Sequence, residues 1–386
     1  MEKRAKYPIL FVHGMFGWGR DEGINDRAPY WGANAGRLVD YLAEAGYEAY
    51  DLSVGPVSSA WDRACEMYAC LTGKTVDYGK AHAEKYGHRR YGRTYETPLL
   101  EHFSAEHKVH LVGHSFGGMT VRMFAHLMAF GAPEERAATP DEELSDLFRG
   151  GHADWIQSVY ALCTPHNGAM LYRFLKKLHL LRLFEGLVMA YIGLVGKTRL
   201  LYKWVDFHLE HFGIHDSPGK RDREPLRQAK RRFLHTTDNI FYGISPASCM
   251  DVDELTQPMI DSVYYYSGYF NAIDAARAEK PRVKHARFWV LKLMARLNLL
   301  VFRREFRTGV FSLEDYENDG LLEVSCAHHP FNQPYKDFDP AHNEPGVWQV
   351  LPEYRGDHGV AIGMKVPAEQ THAFYLSLVQ MLASTE

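Results

Sequence analysis

His107-Lys108-Val109-His110-Leu111-Val112-Gly113-His114-Ser115-Phe116-Gly117 decides how this chain is read. The apolar, β-branched run into Val112 predicts a strand, and residues 119–130 predict a helix. Between them lies Gly-x-Ser-x-Gly. Strand, sharp turn and helix in that order form a nucleophile elbow: the bend exposes the serine hydroxyl, and small neighbours let the two elements pack closely. A bare Gly-x-Ser-x-Gly recurs by chance in glycine-rich turns, so the flanking strand and helix carry the weight.

Working outward, strands are predicted at 9–13, 48–52, 109–112, 158–163, 263–267 and 348–351, with helices at 31–45, 119–130 and 369–383. This alternation predicts an α/β fold whose mostly parallel sheet is covered by helices on both faces. Loops are predicted at 132–146, 217–224 and 330–346. The chain has 386 residues, which suits one domain spanning 1–386 with insertions. Charged residues make up 24%, which excludes wholesale disorder, and a formal charge of -4 gives no reason to invoke nucleic acid. Cys65, Cys70, Cys163, Cys249 and Cys326 show no metal spacing and read as reduced or buried thiols.

A serine needs a base, an orienting acid and an oxyanion site. In an elbow fold the acid and then the histidine follow the serine in the chain. Glu317-Asn318-Asp319-Gly320 offers a carboxylate on a turn, and Arg355-Gly356-Asp357-His358-Gly359 a histidine in a glycine-flanked loop. Ser115, Asp319 and His358 are therefore the triad by order. Asp315, Asp337 and Asp339 are alternatives to Asp319 on composition. Asp357 adjoins His358 too closely to orient its ring. The oxyanion donors are expected to be the backbone amides of Phe116, after the nucleophile, and Met15, after the strand ending in His13-Gly14.

Longer strings point further. Phe11-Val12-His13-Gly14-Met15-Phe16-Gly17-Trp18-Gly19-Arg20, Tyr30-Trp31-Gly32, Val54-Gly55-Pro56-Val57-Ser58-Ser59-Ala60-Trp61-Asp62-Arg63-Ala64-Cys65-Glu66, Thr75-Val76-Asp77-Tyr78-Gly79, Gly92-Arg93-Thr94-Tyr95, Ala161-Leu162-Cys163-Thr164-Pro165-His166-Asn167-Gly168 and the Asp319 turn resemble bacterial lipase family I.5, the thermoalkalophilic Bacillus and Staphylococcus type. The similarity is densest over 8–168 and sparser over 170–310. It implies an α/β-hydrolase fold, ester hydrolysis by the same triad, and a structural zinc. The positions matching the zinc ligands are Asp62, His82, His88 and Asp238, a set suited to a closed tetrahedral site. They would clamp an insertion at about 60–95 to the segment around 238. The family's calcium carboxylates fall at Val360 and Lys365, so no calcium is expected there. Secretion is implied as well, yet Met1–Lys6 and the short apolar run after it do not form a leader, which leaves the compartment open.

Two segments bear on substrate. Residues 171–195 are leucine-rich, and 283–306 place Trp289, Val290, Leu293, Leu297, Leu300 and Val301 on one side among six basic residues. Helical periodicity alone implies faces packed on a core. The resemblance places its lid at about 170–205; the helix at about 280–310 is an additional amphipathic element that could meet lipid. Neither is apolar enough to span a bilayer. The sequence thus predicts a serine ester hydrolase, a triacylglycerol lipase first. The alternatives are a carboxylesterase for short-chain, aryl or polyester substrates, and an acyltransferase sharing the acyl-enzyme. A lipid or ester substrate is the partner expected, without an obligate protein partner.

Overall fold

Leu10 and Val12 point into one apolar cluster, Ile9 and Phe11 into another, so this short strand is buried on both faces. Continuous apolar runs of this kind are what a parallel strand between two helical layers requires. The protein, described here from a computed structural model, is defined over residues 5–386 except 170–171, 173–175, 177–179, 196–198, 215–222, 275–280 and 307–315. Its central sheet has seven strands: β1 (Ile9–Val12), β2 (Ala49–Leu52), β3 (Val109–His114), β4 (Ile156–Leu162), β5 (Tyr264–Gly268), β6 (Tyr335–Asp337) and β7 (Trp348–Val350). They pair in the order β6-β7-β5-β4-β3-β1-β2, every pairing parallel. β3 and β4 lie mid-sheet and are buried along their whole length.

Six helices matter below: α1 (Ala60–Thr72), α2 (Lys80–Tyr86), α3 (Phe116–Phe130), α4 (Leu180–Val195), α5 (Trp289–Phe306) and α6 (Ala368–Ala383). Met67 and Leu71 of α1, with Met119, Phe124 and Leu127 of α3, cover the Leu10 face. Tyr375, Leu378 and Leu382 of α6 cover the Phe11 face. Each such side chain contributes about 1.5–3 kcal/mol on burial. This is the α/β-hydrolase architecture, and its carboxyl strand ends gather the loops where ligands bind in such sheets. Among the described residues all five cysteines are buried and no disulfide joins any two of them. No helix of these residues is long and apolar enough to cross a membrane.

Several sequence expectations change. The helix expected at 31–45 starts only at Leu38, because Gly32 and Gly36 take φ of 97° and 87° and break the earlier turn. The loop expected at 132–146 holds a short helix, Pro133–Ala138, begun by proline at its first turn. The loop at 330–346 contains edge strand β6. Residues 217–222 of another expected loop lie outside the described residues, as do Asp315 and much of 170–179. On α5 the row expected to pack on a core is the solvent face: Trp289, Leu293, Leu297 and Leu300 are exposed, whereas Leu291, Ala295 and Leu299 are buried.

Candidate active site

β3 ends at His114 and α3 begins at Phe116, leaving Ser115 alone at the bend with φ 55° and ψ -129°. A side-chain-bearing residue costs about 1–3 kcal/mol in such a conformation, and the surroundings hold it there. The Ser115 amide donates to the Leu162 carbonyl at 2.8 Å, and the Ser115 carbonyl accepts from Gly118 at 3.0 Å. A Cβ on Gly113 would strike the Gly117 carbonyl, and one on Gly117 the Val12 carbonyl. The elbow therefore needs both glycines for contact alone.

The Met15 and Phe116 amides, expected from the sequence as oxyanion donors, lie among hydrogen-bonded neighbours. Around Met15, the Gly14 amide donates to Tyr30 Oη (2.9 Å), Phe16 to the Pro56 carbonyl (3.0 Å) and Gly17 to the Gly14 carbonyl (3.1 Å). Among the described residues the Met15 amide and the first-turn Phe116 amide donate to no protein acceptor. Both residues line a cavity of about 600 Å³ that also holds Ser115 and His358. Tyr172, Ile244, Phe288, Leu291, Met294 and Leu322 give it an apolar wall.

His358 Nδ1 lies 2.6 Å from Asp319 Oδ2, and the His358 amide donates to the Asp319 carbonyl at 2.8 Å. The other carboxylate oxygen of Asp319 accepts the Leu321 and Leu322 amides at 2.9 and 2.8 Å. Asp319 is thus buried, fully engaged and fixed. Asp337 and Asp339 are exposed, and Asp339 meets His342 instead. Asp357 is buried, but its carboxylate takes the amides of Arg287, Phe288, Gly359 and Val360. Among the described residues Ser115 Oγ makes no hydrogen bond to His358; catalytic contacts of this kind commonly tighten only around substrate.

Sequence reasoning missed two residues that tie these loops together. Tyr30 Oη is 2.7 Å from His114 Nδ1, and His114 Nε2 is 3.2 Å from the His358 carbonyl. A carbonyl only accepts, so Nε2 carries the proton, Nδ1 accepts from Tyr30, and Tyr30 accepts from the Gly14 amide. The run Gly14–Tyr30–His114–His358 joins the oxyanion loop, the elbow and the histidine loop. Burial, aided by neighbouring His358, holds the His114 pKa well below 6.5, which keeps that tautomer neutral. His114 is the variable residue of the Gly-x-Ser-x-Gly motif, where attention falls on the serine.

A second centre lies on the other side of α1. Asp62 from α1, His82 from α2, His88 just beyond it and Asp238 bring their ligand atoms within 4.8 Å of one another. His82 Nε2 is 3.3 Å from Asp62 Oδ1 and 3.1 Å from Asp238 Oδ2; His88 Nε2 is 3.2 Å from Asp238 Oδ2. Buried Asp62 Oδ1 and His88 Nε2 make no hydrogen bond. The remaining donor and acceptor positions are used: His211 Nε2 meets Asp62 Oδ2 at 3.1 Å, and His88 Nδ1 donates to the Arg89 carbonyl at 2.9 Å. Trp61 stacks on His82, their planes 7° apart. Glu135, unnoticed in the sequence, accepts the Ala81 and His82 amides at the start of α2. Burial opposes charge on His82, yet Asp238 and Asp62 prevail and push its pKa up to about 10. Two carboxylates in one buried pocket need compensating positive charge, which a protonated His82 ring or a bound cation would supply. A second grouping of possible metal donors, His114, Cys163 and His358, adjoins the elbow; residues compatible with zinc are therefore present in two places.

Comparison with known proteins agrees with this geometry. The family described as "Lipase-like, C-terminal domain" matches residues 5–386. The chain is 33% identical to a Staphylococcus epidermidis lipase over 98% of its own length and 54% of that protein's. It thus spans about half the length of the curated relatives it matches. It superposes on the crystal structure of Staphylococcus hyicus lipase with a TM-score of 0.81 at 27% identity, covering 100% of this chain and 97% of that one. EstA from Clostridium botulinum gives 0.77 at 28% identity, covering 99% and 88%. The match along nearly the whole length, together with the elbow, shows that the chain belongs to the lipase-like C-terminal domain family and, within it, to the bacterial lipases of family I.5.

Proposed function

We propose that this chain is a carboxylic ester hydrolase, a lipase for acylglycerols and other medium to long acyl esters, working through an acyl-serine. The observation that carries this reading is a strained serine, a buried His358–Asp319 pair and two undonated amides opening on one apolar cavity. Ser115 Oγ attacks the ester carbonyl while His358 Nε2 takes its proton. Asp319 stabilises the imidazolium, and the Met15 and Phe116 amides receive the oxyanion. Collapse breaks the acyl–oxygen bond, and the alkoxide leaves with the proton from His358. Water, deprotonated by the same ring, then attacks the acyl-serine and frees the acid.

Cavity size and lining favour long acyl groups over short ones. That its relatives in Staphylococcus are lipases supports this activity. We assign the lid to α4, where Leu183, Leu187, Tyr191 and Leu194 face solvent. Hydrolysis of p-nitrophenyl esters of increasing chain length, in solution and as emulsion, tests the proposal. A lipase gains activity with chain length and at the interface; a peak on short soluble esters without an interfacial gain supports the carboxylesterase alternative. Product partition between water and added alcohol tests acyl transfer.

Zinc at Asp62, His82, His88 and Asp238 fits the residues present. An ion with bonds of about 2.0–2.1 Å sets tetrahedral ligand atoms roughly 3.3–3.4 Å apart, and three pairs here lie at 3.1–3.3 Å. His88 Nε2 and Asp62 Oδ1, which make no hydrogen bond, supply two of the donors it needs. With all four positions filled by protein the ion would brace the insertion at about 60–95 against the segment around 238, and supply no water for chemistry. The His114–Cys163–His358 grouping suits a metal less, since both His114 nitrogens and His358 Nδ1 are already hydrogen-bonded. We assign no calcium next to His358: Val360 has no side-chain oxygen, and the Lys365 carbonyl faces the Arg287 guanidinium at 3.4 Å. The chain is read as one α/β domain, 1–386, carrying these insertions.

A further inference from the structure

Helix α5 is apolar on two sides. Its inner side gives Leu291 and Met294, with Phe288 just before them, to the wall of the cavity holding Ser115. On the nearly opposite side, at spacings of four, four and three, Trp289, Leu293, Leu297 and Leu300 are 71%, 51%, 45% and 62% exposed. Four large apolar side chains in one exposed row are more than scattered surface hydrophobics and mark an interaction face.

Charge says what that face meets. From Lys284 to Phe306 the sequence holds six lysines and arginines against one glutamate, Glu305, and of the six Lys284 is paired with Asp274. Lys292 and Arg296 flank the apolar row. A second copy of this chain docked symmetrically would set these cations against their own counterparts. An anionic lipid surface instead accepts the row at the boundary between headgroups and acyl chains, with the basic flank among the headgroups.

The helix is also fixed where it meets the active site. Its approach is held by Asp357, whose buried carboxylate accepts the Arg287 and Phe288 amides and sits next to His358 in the chain. A face carried on this base cannot swing like a lid without disturbing the histidine loop. It suits a standing platform.

We propose that the outer face of α5 docks on anionic lipid surfaces and holds the cavity beside the ester layer. The purpose of docking rests on the ester-hydrolase reading, whereas the docking itself does not. Binding is measured by co-sedimentation of the full chain carrying Ser115→Ala, so that the probe is not consumed. The vesicles are phosphatidylcholine alone or phosphatidylcholine mixed with phosphatidylglycerol. The mixed vesicles are expected to bind about tenfold more tightly or better, with the gain shrinking as salt rises. Lys292→Glu with Arg296→Glu removes that preference. Leu293→Ser with Leu297→Ser weakens binding to both vesicle types by about tenfold.

With Ser115 intact, both double variants should hydrolyse a soluble short-chain ester within about twofold of the parent, while losing about tenfold on an anionic emulsion. Equal binding by parent and variants, or no preference for anionic vesicles, would overturn the proposal. So would a concentration-dependent dimer that Leu293→Ser with Leu297→Ser abolishes, without vesicle association. A parent that fails to cleave the soluble ester sinks the ester-hydrolase reading and leaves the vesicle result to stand by itself.

Discussion

At His358 one aspartate takes Nδ1 and the ring borders an apolar cavity; at His82 and His88 two aspartates close around both imidazoles. The residue types are the same, and the second partner of each ring makes the difference. In the first centre Asp319 spends its other oxygen on the Leu321 and Leu322 amides, so it orients one ring and nothing else. Nε2 is then available to move a proton. In the second, every ring meets a carboxylate and two buried polar atoms lack a hydrogen bond, an arrangement that suits the zinc proposed there. On the proposed reading, the imidazole with one open side does the chemistry and the closed ring of donors holds parts together.

That contrast predicts different responses to damage. Ser115→Ala should lower kcat/KM by about a million-fold with little change in melting temperature. Wild-type-like turnover of any ester would refute the first centre. Asp319→Asn should cost about ten-thousand-fold, because the amide favours the wrong tautomer of His358. In the second centre the signs reverse. His82→Ala should lower the melting temperature by about 5–10 °C while leaving activity at mild temperature largely intact. Elemental analysis should find near-stoichiometric zinc in the parent, and a strong chelator should reproduce the thermal loss. A His82→Ala protein that loses turnover but keeps its melting temperature would merge the two centres into one. The smallest effect sharpens the boundary between them: Tyr30→Phe should reduce kcat about five- to tenfold, with KM less affected, by freeing the Gly14 amide and His114.

Much of the fold was readable because it rests on local pattern. The buried runs ending at Val12, Val112 and Leu162 name themselves as central strands, and the elbow follows from two glycines around a serine. Chain order picked Asp319, and the structure adds the reason: Asp337 and Asp339 are exposed. Tyr30 and His114 were not readable as a pair, since 84 residues separate them and only the closure of the sheet makes them touch. The metal cluster shares that difficulty: Asp62 and Asp238 are brought together from distant segments, and resemblance alone suggested them. β6 escaped notice because a three-residue edge strand leaves almost no periodicity to detect. On α5 the apolar spacing was right and its direction stayed open between core and lipid, because a helix with two apolar sides gives periodicity no single inside.

The neutral ring of His114 carries a cost that is felt away from catalysis. Folding depresses its proton affinity, whereas in the denatured chain the same ring titrates near its ordinary 6.5. Above that pH both forms are uncharged there, and the contribution to stability is complete. As the medium acidifies below it, the denatured chain gains a proton that the folded one refuses, so unfolding is favoured step by step. Acid should therefore remove this ring's contribution to stability, as it does for the likewise depressed His13 and His166, and melting curves across mildly acidic buffers, compared between parent and a His114→Gln variant, would isolate its share.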